Sequence, residues 1–239
     1  MLVAGVDGAR AGWIAVLRDL ASDASPDVLL VPRFADLLER PESPTLIAVD
    51  MPIGLPERAG SGGRGPERLV RPLLGERQSS VFSIPSRAAV YCDDYREACR
   101  VALETSDPPR KVSKQAFNIF PKIREIDALM SAQMEAVIYE VHPEVAFWRL
   151  NGERPMSLPK KVRSRANGPG LDERRDLLER HGFERAFLDQ PPPRGAGRDD
   201  FIDACVNALI AERIMRGLAR PFPEPPERDA RGFRMAIWA

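Results

Sequence analysis

The chain is poor in the side chains that build soft metal centres, with three cysteines and two histidines in 239 residues. Cys92, Cys99 and Cys205 form no CxxC pair, which excludes a zinc cage and a disulfide framework and leaves reduced thiols as the expectation. His142 and His181 are too few for a histidine-rich centre. Any metal is therefore expected on carboxylates, which suit hard ions such as Mg2+ or Mn2+. Long apolar runs are also missing: no window approaches the roughly eighteen residues of a membrane span. The opening MLVAGVDGAR lacks the basic start and apolar stretch of a secretory signal. A cytoplasmic protein with no membrane partner is expected. Excess charge is absent as well, since 35 basic residues face 35 acidic ones. That balance speaks against a protein that coats nucleic acid, and leaves local basic patches as the only electrostatic route to phosphate.

With 44% apolar and 29% charged residues the chain has ample material for a core. Leu2 to Val6 and Trp13 to Leu17 read as a hairpin around a small, flexible stretch ending at Gly12, and Val28 to Val31 reads as a third strand. Phe34 to Arg40 is expected to be helical. Leu46 to Val49 is a further strand, closed by Pro52 and Pro56, which forbid helix there. Residues 57 to 78 are rich in Gly, Arg and Pro without periodicity and are expected to form a loop or mobile insertion. Helices are expected near 86 to 104 and 114 to 131, then a strand at Ala136 to Val141. A basic Gly/Pro-rich stretch covers 151 to 170, a helix covers Leu171 to Arg180, and a breaker at Pro191 to Gly197 precedes a final helix, Asp200 to Gly217. Strands first, then strands alternating with helices, predict an α/β fold with a mixed sheet and helices on both faces. No repeat or boundary divides the chain, so one domain over residues 1 to 239 is expected, with insertions near 57–78 and 151–170.

Two apolar runs end in an acid: the first in Asp7, the second, Ile47-Ala48-Val49, in Asp50. Each alone reads equally well as a turn aspartate. Together they place two carboxylates at one sheet edge, where α/β proteins bind ligands. Asp200, Asp203 and Asn207 fall within about 60° of each other on the last helix. Asp199 or Asp200 serves as a helix cap. Asp203 is too far into the helix for that, and it lies on the flank of the apolar stripe, leaning toward the sheet. Glu140 and Glu144 flank His142-Pro143 at a strand end, where Glu140 is a candidate to complete a metal shell. Clustered carboxylates repel without a cation. Two divalent ions about 4 Å apart would neutralise them and activate a water. The basic segments Arg58–Arg87 and Arg154–Arg165 are candidates to hold phosphate if they lie beside the acidic edge, and otherwise are solvated loop charge.

An Asp on the first strand, an acid ending the fourth and DxxD on the last helix resemble RNase H-like nucleases, the RuvC resolvases among them. The chain is more closely similar to a family described as predicted RNase H-like nucleases, domain-of-unknown-function family 429. The matching segments are GVDGARAGW, IAVDMPIGLP, QSSVFSIPSR, SKQAFNIFPKIREID, YEVHPEVAFWRLNG and DDFIDACVNALIAER, spanning about Val3 to Gly217. The stretch after IGLP departs from the pattern, being longer and richer in Gly and Arg. The resemblance implies a three-layer RNase H-like domain. It also implies metal ligands at Asp7, Asp50, Asp200 and Asp203, and phosphodiester hydrolysis of a nucleic acid of unspecified type by two-metal-ion catalysis. Arg87, Lys122, His142, Arg163 and Arg165 are the candidates for substrate contact. Two other readings remain. One is a non-catalytic nucleic-acid- or protein-binding module on the same fold. The other is an actin- or sugar-kinase-like phosphotransferase, which would want Ser or Thr after Asp7-Gly8, where Ala9 and Arg10 stand.

Overall fold

A computed structural model describes residues 1–239 except Asp23 and Ser164. Strands β1 (Leu2–Ala9) and β2 (Gly12–Asp19) pair antiparallel from Leu2↔Asp19 to Ala9↔Gly12. The turn between them requires Gly12, whose φ is +133° and where a Cβ would lie 2.1 Å from the Val31 carbonyl oxygen. Strand β3 (Asp27–Val31) adds antiparallel to β2, while β4 (Leu46–Val49) and β5 (Ile138–Glu140) add parallel on the other side of β1. The result is a five-stranded mixed sheet of order β3-β2-β1-β4-β5.

Side chains alternate along these strands and feed two cores. Trp13, Ala15 and Leu17 join Ile47 and Val49 on one face, with Ala116, Phe120 and Ile123 of α2 (Lys114–Leu129). Ile14 and Val16 join Leu46 and Ala48 on the other, with α3 (Pro143–Leu150), α4 (Gly168–Arg180) and α5 (Arg198–Met215). Helices thus cover both faces, as a three-layer α/β arrangement requires. Helix α5 lies directly on β1. A Cβ on Gly5 would stand 2.0 Å from the Ala208 nitrogen and 2.2 Å from the Ala204 oxygen, so only glycine allows this approach.

Several sequence expectations are corrected here. Residues 57 to 78 are ordered: they contain the helix α1 (Gly65–Val70) and most of a run of 3-10 turns, Arg71–Ser80. Periodicity missed them because a buried charge anchors them, with Arg64 fully buried beneath α1 and Val70, Leu73 and Leu74 reaching a small apolar cluster. The helix expected near 86 to 104 is two helices, Arg87–Val90 and Tyr95–Glu104, the second capped by Asp94. The 151–170 stretch contains a short hairpin, Lys161–Val162 with Arg165–Ala166, and the start of α4. The proline-rich C-terminal part forms an antiparallel ribbon of β6 (Pro221–Arg228) and β7 (Arg234–Trp238), whose pairing is irregular between Phe222 and Glu227. Among the described residues no helix is long and apolar enough to cross a membrane.

Candidate functional site

The three parallel strands deliver their C-terminal ends to one edge. Asp7 lies near the end of β1, Asp50 follows β4, and Glu140 ends β5, with His142 two residues on. The Asp50 amide donates to the Val6 carbonyl at 3.0 Å and the Val141 amide to the Val49 carbonyl at 2.9 Å, so the ladder continues into the site. Helix α5 brings the fourth component. Its close approach at Gly5 is reinforced by Asn207, whose Nδ2 donates to the Val6 carbonyl at 2.9 Å, and Asp203 stands one turn earlier on the same side.

Asp7 and Asp203 are buried, and Asp50 is partly so. Burial, then the neighbouring Asp50 and Asp203, raise the Asp7 carboxyl well above the ordinary range. Burial pushes Asp50 up to about 6 against the pull of Lys160, with Glu144 and Asp200 adding to the rise. Asp203 is also pushed up to about 6, burial outweighing its ion pair with Lys160. These carboxylates keep unused oxygens. The Gly8 amide donates to Asp7 Oδ1 at 2.7 Å, Lys160 takes Asp203 Oδ2, and Asp203 Oδ1 is buried with no partner among the described residues. A structural carboxylate at this depth is normally saturated with hydrogen bonds. Unsatisfied oxygens that repel one another form a donor set suited to a hard cation. Among the described residues, however, no group of three His, Cys, Asp or Glu side chains is placed to hold one metal ion. The ammonium of Lys160 is paired with Asp203.

The other expected site residues divide sharply. Asp200 receives the Gly197 amide at 2.8 Å and so tends the start of α5, while its neighbour Asp199 pairs with Lys161 at 2.5 Å. Glu140 accepts from Arg64 and from the Ile53 amide at 2.7 Å, in a buried triad where Arg64 also binds Glu67. Burial, outweighing Arg64, pushes Glu140 up to about 7. Lys122 reaches the site from α2: its Nζ donates to the Gly12 carbonyl at 2.5 Å, lies 4.3 Å from the Trp13 ring centroid, and its stem covers Gly8. Burial lowers its proton affinity, opposed by Glu125, Asp7 and Asp200. The His142 Nε2 stands 3.3 Å from the Ser80 carbonyl and must be the donor there. Burial, with Lys160 nearby, keeps this ring neutral, which leaves Nδ1 as an unpartnered buried acceptor.

Arg87 is engaged away from the acids, bound to Asp127 and at 2.7 Å to Asp229. Arg163 and Arg165 are exposed at the hairpin beside Lys161. The residues that sequence reasoning did not single out are Lys160, Arg64, Glu67 and Arg174, the last buried and donating to both oxygens of Glu144 at 2.6 and 2.8 Å. Asp7, Asp50, Lys122 and His142 share the wall of a cavity of about 190 Å³. Its remaining wall is largely apolar, with Met51, Phe82, Ile84 and Ile119, and with Asn118 as a further polar group.

The family described as "Protein of unknown function (DUF429)" matches residues 5–228, and the chain belongs to that family. No curated protein and no solved structure matches the chain.

Proposed function

We propose that the chain is a divalent-metal-dependent phosphodiester hydrolase of the RNase H-like kind. The observation that carries this reading is the meeting of Asp7, Asp50 and Asp203 where the parallel strands end, with Asp203 Oδ1 buried and unpartnered among the described residues and Asp7 and Asp50 in the wall of a cavity. The donor chemistry fits Mg2+ or Mn2+, since every donor is a hard oxygen. For Asp7, Asp50 and Asp203 to hold the ion their carboxylates must close up from the arrangement described above; when bound, the ion would supply charge for the phosphate oxygens and lower the pKa of a water.

The chain's own groups have separate tasks. The neutral His142 offers Nδ1 as an acceptor for a proton at the cavity wall. Lys122 is placed to favour an anionic phosphate oxygen beside Asp7. At about 190 Å³ the cavity is below the roughly 300–1,000 Å³ of drug-sized ligand sites, so it admits one small group. Met51, Phe82 and Ile119 suit a base or another flat, weakly polar group there, while the rest of a polymer stays outside. The exposed Arg163 and Arg165 are the candidates to meet its backbone. Cleavage of RNA, DNA and branched substrates with Mn2+, compared with Asp7→Asn, tests this reading. Cleavage that vanishes in Asp7→Asn is expected. No cleavage above the variant's background would refute it.

One observation favours a second reading. Lys160 already compensates Asp203, as a binding module without chemistry would require. Such a module binds nucleic acid equally well with and without Mn2+, whereas the hydrolase reading requires a metal-induced rise in melting temperature that Asp7→Asn removes.

A further inference from the structure

We infer that a second cavity, sharing a wall with the first, binds a phosphate group of the strand whose neighbouring group enters the first cavity. This inference rests on the nucleic-acid substrate of the reading above.

The second cavity has a volume of about 310 Å³ and lies between the glycine-rich turn 60–63 and the segment 110–113. Val81, Phe82 and Ile84 line both cavities, so a chain that fills the first and passes Phe82 reaches the second. The two differ in charge. Asp7, Asp50, Glu67 and Glu140 stand in the wall of the first, whereas no carboxylate lines the second and Arg110 and Lys111 do. Arg100 and Arg124 nearby are paired with Glu97, Glu104 and Asp93, but Arg110 and Lys111 form no ion pair among the described residues. In a chain with as many acids as bases, an acid-free cavity with two unpaired cations is a place where an external anion meets attraction and no repulsion. A third guanidinium backs the glycine turn. Arg71 donates to the Val81 carbonyl at 3.1 Å and to the Ser83 hydroxyl at 3.2 Å, and a Cβ on Gly62 would lie 3.1 Å from its Nη1.

The frame of this cavity is fixed on both sides. The Gly63 amide closes the turn on the Gly60 carbonyl at 3.1 Å, and Arg68 donates to the Gly63 carbonyl at 2.9 Å. At Gly63 φ is +100°, and a Cβ there would lie 2.6 Å from Glu67 Oε2 and 3.1 Å from the Ser83 Cα. Only glycine brings the backbone this close to the shared wall. Across the cavity, the Arg110 amide donates to Ser106 Oγ at 2.8 Å and the Val112 carbonyl accepts from the Tyr95 hydroxyl at 3.0 Å. Ser113 then caps α2, its Oγ accepting from the Ala116 amide at 3.1 Å. The backbone carrying Arg110 and Lys111 is therefore held, and only their side-chain torsions remain to be ordered when an anion enters. The planar fork of an arginine beside the compact charge of a lysine is a combination that phosphate oxygens accept.

The test uses the full chain carrying Asp7→Asn, in which no cleavage is expected. It is titrated by fluorescence anisotropy with labelled single-stranded DNA and RNA octanucleotides, in chelator and in Mn2+. Adding Arg110→Gln and Lys111→Gln together should weaken binding on the order of tenfold. The slope of log affinity against log salt should flatten by about 0.7, the value for one phosphate contact on a single strand. Lys114→Gln removes a neighbouring charge that lies 3.8 Å from the Tyr95 ring centroid, outside the cavity, and should change neither quantity. All three positions are exposed, so the fold is not at stake. No loss in the double variant, or an equal loss in Lys114→Gln, would overturn the inference and leave the hydrolase reading standing, because cleavage decides that reading. A mononucleotide that binds as tightly as the octanucleotide, and loses as much in the double variant, would mark a free nucleotide as the ligand and overturn the assignment to the strand. Octanucleotides that bind no form of the chain in either condition would remove the nucleic-acid reading itself, and the inference with it.

Discussion

Acidifying the metal-free protein should stabilise it over a range in which most proteins begin to weaken. The Asp203 carboxyl is 1% exposed and is pushed from the ordinary 3.8 to about 6. A raised acid binds its proton more tightly in the folded state. Its contribution to stability is therefore fully present below the unfolded value and lost as the pH rises through the folded one. Full release of the Asp203 penalty corresponds to about 3 kcal/mol, at about 1.4 kcal/mol per tenfold change in proton affinity. Between about pH 8 and about pH 5 roughly half of this returns, about 1 to 2 kcal/mol. Asp50 and Glu140, at about 6 and about 7, act in the same direction. His142 opposes them, because its lowered pKa costs stability as the pH falls below 6.5. For a chain of this size the Asp203 share alone is on the order of 4 °C in melting temperature. The assay is thermal unfolding in chelator across that range for wild type and Asp50→Asn. The variant lacks one titrating group and relieves Asp203 of one neighbour, so its curve should be flatter. Equal and monotonic loss of stability on acidification in both proteins would refute the account of the cluster.

Two further substitutions probe the frame that holds the site. Gly5→Ala places a methyl group 2.0 Å from the backbone of α5; displacing the helix should cost about 3 kcal/mol or more in urea unfolding, and a cost under about 1 kcal/mol would contradict the close approach. Arg64→Met leaves Glu67 and Glu140 buried without their shared cation, for an expected loss of about 3–5 kcal/mol, and adding Glu140→Gln should restore part of it in the same unfolding assay.

The parts of the site legible from sequence were those that local periodicity encodes. Asp7 and Asp50 each close a short apolar run, and the sheet places those runs side by side in parallel. Asp203 was legible because a helix assigns every residue an angle, and its angle lay on the flank of the apolar stripe. The same test applies to α4, where Arg174 is three residues from Leu171 and from Leu177, both buried, and is itself fully buried. Its position therefore demanded an acid within reach, and Glu144 beside the strand end is that acid. Arg64 carried a weaker signal: Pro66 and Glu67 after Gly65 are a helix start, with proline in the first turn and an acid at the third position. The glycines around it hid that signal behind the composition of a loop. Lys160 had no signal of this kind. It lies in a segment without a period, so no angle could be assigned to it, and the hydrogen bonds that fix it come from α4. A cation placed by long-range anchoring can be read only after the fold is known. The acidic edge was therefore visible from the sequence, while the lysine that neutralises part of it was not.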